Sequence, residues 1–149
     1  MSSLDALEAM IPDRDRASSE VSKWSVGMQI HHCLISTKAI LDSVSESEPG
    51  AEKPTFSFPR LVLMTFGRIP RGKGRAPEAS HPQPSPSEEV LRQALQEARD
   101  AQARARQADK ASYWRHFIFG VMPRDKALRF VEIHNKHHLR IVDDILKAT

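Results

Sequence analysis

Three of the seven histidines, His134, His137 and His138, fall within residues 130–145, FVEIHNKHHLRIVDDI. Ala127, Val131, His134, His138, Ile141 and Ile145 follow one another in alternating steps of four and three, the inward seam of a packed helix. His134 and His138 therefore belong to the apolar stripe, which Leu128, Leu139, Val142 and Leu146 widen on one flank. Lys126, Arg129, Lys136, Arg140, Asp143 and Lys147 fall opposite, and His137 lies at the edge. Two imidazoles four residues apart leave consecutive turns side by side, near enough for both to hold one cation. The plainer reading, core histidines bonded to backbone or to each other, requires partners for two desolvated rings in adjacent layers. Asn135 stands where the zinc-protease pattern HExxH has its Glu base, so peptide hydrolysis by that route is set aside.

A cation in a helical core needs a further ligand from a facing helix. His31 and His32 are the candidates, with His116 in reserve. They lie on a helix announced by Ser22 or Trp24-Ser25 and running to about Val44, apolar around most of its circumference and therefore central. Periodicity does not choose between the two. Ser36 and Ala39, about one and two turns beyond His32, leave room for a metal and tip the choice to His32. Cys33 points about 100° away from His32 and reads as a buried, inert thiol.

The remaining elements must position these two helices. Residues 2–10 suit a short helix capped by Ser3, ending at Pro12. Residues 56–66, FSFPRLVLMTF, read as a helix from about Pro59. The stretch from Gly67 to Glu89, rich in proline and glycine, predicts a long irregular surface loop. Ser87, Glu88 and Glu89 open a long helix to about Gln107, whose seam of Leu91, Leu95, Ala98, Ala101 or Gln102, Ala105 and Ala108 permits close approach. Residues 111–122, ASYWRHFIFGVM, are aromatic-rich and end at Pro123, with Gly120 as a helix C-cap.

At 149 residues, 40% hydrophobic and 28% charged, the chain fits a single globular domain over 1–149. A net charge of +3, with the arginines scattered around helices, gives no stripe for nucleic acid. One cysteine excludes an intramolecular disulfide and suits a reducing cytoplasm, and no segment reads as an export signal or membrane span. The expected partners are a small-molecule substrate and, beyond it, at most a second copy of the chain as a homodimer, with neither nucleic acid nor membrane.

KWSVGMQIHHCLIST resembles the DinB-like superfamily signature in which a Trp-Ser start leads to a metal-binding histidine eight residues after the Trp, here His32. EIHNKHHLRIV resembles that superfamily's last-helix motif, whose outer histidines fall on His134 and His138. FPRLVLMTFGRIPRGKGRAP and HFIFG further resemble an uncharacterised branch, so the likeness covers nearly the whole chain; Phe117 departs from it, standing where Pro is expected after the histidine. The resemblance implies an all-α fold, an up-down-down-up four-helix bundle of the DinB/YfiT-like type, with a divalent metal on three histidines near one end. Zinc or nickel is the metal implied, with iron as a further choice. Characterised relatives are mostly metal-dependent S-transferases using a low-molecular-weight thiol such as bacillithiol or mycothiol. The function implied is therefore thiol transfer, with metal-dependent hydrolysis or a non-catalytic metal-binding module as alternatives. Arg71, Lys73 and Arg75 sit on a glycine-broken loop. The plainer reading is a solvated basic loop; the functional one has Arg71 and Arg75 pair with carboxylates of an anionic thiol cosubstrate.

Overall fold

Four of the five α-helices among the described residues begin at a serine whose hydroxyl accepts a backbone N–H left free in the first turn. In the computed structural model, which describes residues 2–72 and 76–149, Ser2 opens α1, Ser3–Ala9. The cap is thus Ser2 rather than Ser3, and Asp5 closes a capping box by accepting the Ser2 N–H. Ser25 opens α2, Val26–Glu46; Ser57 opens α3, Phe58–Phe66, with Pro59 in its first turn; and Ser87 opens α4, Glu88–Gln107. Gly67, at φ 61°, ends α3 in the left-handed conformation that its missing Cβ makes inexpensive. After β1, Tyr113–His116, and β2, Gly120–Pro123, the chain enters α5, Arg124–Ala148.

The strands correct the expectation of a helix over 111–122 and of an all-α chain: the fold is mostly helical with a two-stranded antiparallel sheet. Gly120 does have positive φ, but as the first residue of β2, paired with His116 across the three-residue turn Phe117–Ile118–Phe119. That is the hairpin use of a left-handed glycine, and adjacent aromatic and β-branched side chains supply the strand preference. His116 reinforces the turn, its Nδ1 accepting the N–H groups of Ile118 and Phe119.

α2 packs along α4 and α5, and α1 bridges α4 and α5. The alanine seam of α4 is buried at Ala94, Ala98, Ala101 and Ala105, as close helix approach requires. At Gly27 the approach is closer still: its N–H donates to the Arg14 carbonyl, and an added Cβ would lie 2.9 Å from that oxygen. The buried apolar residues form two clusters. One joins α1 with residues 26–34 of α2, 91–98 of α4 and 142–145 of α5; the other joins 40–44 of α2, 101–105 of α4 and 127–133 of α5 with Leu63 and Met122. Between them, buried Asn135 donates to Ser3 and Thr37 hydroxyls at 3.2 Å each.

Candidate metal centre

His32 on α2 meets His134 and His138 on α5. The Nε2 atoms of His32 and His134 are 3.2 Å apart, and the nitrogens that the three rings offer lie within 4.8 Å of one another. Two nitrogens bound tetrahedrally at ~2.05 Å would sit about 3.3 Å apart, so the first pair already has ligand spacing.

The ring orientations follow from what the other nitrogens do. His32 Nδ1 lies 2.6 Å from the Ser80 carbonyl oxygen, which can only accept, so Nδ1 carries the proton and Nε2 presents its lone pair. His138 Nδ1 donates in the same way to Gln29 Oε1 at 2.6 Å, and the Gln29 amide donates onward to Ser22 Oγ. Trp24 lies 5.1 Å from the His32 ring and stacks over His138, while Phe130 stacks on His134 at 6.1 Å. Burial among these rings lowers the pKa of all three histidines, aided by neighbouring imidazoles. It takes His134 to about 3, and on His32 it outweighs the opposing Ser80 hydrogen bond. The triad is therefore neutral at pH 7, the state in which imidazole binds a cation. Three neutral nitrogen donors, two of them with outer hydrogen-bond partners, and no carboxylate in the group, fit a borderline-soft divalent ion with an open coordination position.

The sequence pattern of the DinB superfamily matches residues 3–142. The chain belongs to the DinB superfamily. No curated protein and no solved structure matches it. The DinB match takes in the hairpin, the proline-rich loop and both histidine helices.

In this DinB chain the other four histidines, His31, His81, His116 and His137, lie outside the triad. His31 Nδ1 accepts the Gln83 N–H at 2.9 Å. His137 packs edge-on against His138, and burial lowers its pKa. His116 stacks on Phe119, 5.7 Å from Phe130, and burial lowers its pKa to about 4. Cys33 is fully buried, which pushes its thiol pKa far up. Arg71 pairs with Asp144 at 2.7 Å, both partly exposed; Arg75 lies outside the described residues.

Two supports of the DinB site escaped the sequence reading. Gln29 is a polar residue in the apolar first turns of α2, about one turn before His32, and that placement is the signal that could have found it. Ser80 acts through its backbone carbonyl, which no side-chain pattern encodes. Its segment is irregular apart from one 3-10 turn at Glu78–Ser80, yet Pro82 and Pro86 are buried and the loop lies against the triad.

Proposed function

We propose that the chain is a metal-dependent enzyme that transfers a low-molecular-weight thiol to an electrophilic small molecule, with His32, His134 and His138 holding zinc or nickel. The observation that carries this reading is the pair of imidazoles whose Nδ1 protons are committed to Ser80 and Gln29, leaving Nε2 lone pairs for one ion. We read α1, α2, α4 and α5 as the four helices of the up-down-down-up bundle that the family resemblance implies. When bound, a divalent cation on three neutral ligands would favour ionisation of a thiol brought to it.

The residues of the chain supply position and shelter. Gln29 and Ser80 hold two rings in the required tautomer, and Trp24 and Phe130 keep water from the flanks of the triad. The nucleophile must come from outside, because the one cysteine is sealed in the core. Arg71 and Arg75 would bind carboxylates of the thiol cosubstrate, Arg71 by exchanging its surface partner Asp144.

Elemental analysis of the purified protein should find one divalent ion per chain, lost in the His32→Ala, His134→Ala, His138→Ala variant. Cobalt-loaded protein titrated with low-molecular-weight thiols should develop a sulfur-to-cobalt charge-transfer absorption and release a proton, and should consume thiol against an electrophile. Stoichiometric metal with neither signal would move the reading to a metal-binding module. Ester cleavage without thiol consumption would move it to a hydrolase.

A further inference from the structure

Helix α3 has apolar side chains on two faces. Leu63 is buried and Met64 packs beside it against the second apolar cluster. Phe58, Leu61, Val62 and Phe66 recur at helical spacing on the outward face, where a surface helix ordinarily carries charge. Together with Phe56, Phe117 and Ile118 they are all seven of the exposed large apolar side chains among the described residues.

Two links join the segments that carry these seven. Arg60, buried on the inner side of α3, donates to the Phe119 carbonyl at 3.0 Å, the Val121 carbonyl at 2.8 Å and the Thr55 carbonyl. Thr55 Oγ1 comes within 3.0 Å of where a Cβ on Gly120 would stand. Thr55 and Arg60 thereby fasten the start of α3 to the hairpin that carries Phe117 and Ile118 at its tip. The four phenylalanines are 64–82% exposed. At ~200 Å² per ring the seven side chains expose about 800 Å² of apolar surface. A monomer's largest patch is about 300–600 Å², and one partner of a standard interface buries about 800 Å².

We propose that this face is a twofold interface between two copies of the chain, with α3 packed on its counterpart. The summed area is that of one half of such an interface, and the exposed side chains are aromatic and aliphatic, with Lys126 beside Phe56 and Leu61. A membrane-lying helix of the usual kind is longer, about 20–30 residues, with its polar face in water. α3 has nine residues, and its inner face is held by protein.

Sedimentation equilibrium of the metal-loaded full chain tests this. The wild type should be a dimer at micromolar concentration, and Leu61→Glu combined with Phe66→Glu should sediment as a monomer with unchanged circular dichroism and metal content. Should that variant lose its fold, Phe117→Ser combined with Ile118→Ser, at the hairpin tip, decides: it should weaken the dimer by about tenfold or more. A wild-type monomer overturns the proposal, whether or not it binds phosphatidylserine vesicles. A dimer indifferent to the tip and α3 substitutions also overturns it, since its interface would then lie elsewhere.

Discussion

At the scale of single residues, the centre depends on groups one hydrogen bond removed from the ligands. Gln29→Leu keeps the volume of the side chain but leaves the His138 Nδ1–H without its acceptor, freeing the ring to turn or change tautomer. A competition titration against a chelator should show metal affinity falling about 10–100-fold, with helicity unchanged. His31→Ala, which touches only the Gln83 amide, should leave affinity close to wild type. Protonation provides a second measurement. Unfolded, these rings take up protons near pH 6.5, whereas burial holds that back to about 4 at His116 and about 3 at His134. Between those values the unfolded chain binds more protons, so the stability of the metal-free protein is complete above about pH 6.5 and falls as pH drops through the window. Denaturant midpoints should follow that course, and His116→Gln should flatten the part of the slope above about pH 4.

At the scale of elements, α2 and the Arg14 segment approach closely at Gly27. Gly27→Ala improves helix propensity yet places a methyl 2.9 Å from a backbone oxygen, so α2 or the Arg14 segment must shift. We expect a net loss of about 1–3 kcal/mol in chemical denaturation. Which elements were legible follows from the kind of signal each carries. The serine caps, the alanine seam of α4 and the histidine pair on α5 are local patterns repeated over several turns, and they appear at or within a few residues of their expected places. The α5 seam drifted: Phe130, Ile133, Asn135 and Val142 are buried, while His134 and Ile141 are only partly covered, because its neighbours change along its length. The hairpin was unreadable as such, since four-residue strands carry too short a period to oppose a helical one. Periodicity does not separate His31 from His32 on a helix apolar on several sides; in the fold they differ in the partners their rings take, Gln83 and Ser80. Both partners lie in the proline-rich loop, whose path depends on tertiary contacts.

At the scale of the whole molecule, the triad crosses from α2 to α5 where the apolar core is interrupted. An ion held there ties the two helices together in the folded state alone, and its binding energy adds to stability. With free zinc at about a hundredfold above its dissociation constant, the gain is ~2.7 kcal/mol. For a chain of this length the melting temperature should rise by roughly 5–10 °C. Differential scanning calorimetry with and without zinc should register that rise in the wild type and lose it in His134→Ala combined with His138→Ala. The hydrogen bond from His32 to Ser80 adds a condition of its own. Loop and ion are reciprocal effectors: whatever factor the closed loop adds to the ion's affinity, the ion adds to the population of the closed loop. A ligand that lifted residues 76–86 away from His32 would therefore loosen a bound ion by the same factor. Were an ion bound, metal affinity would then report on the position of that loop.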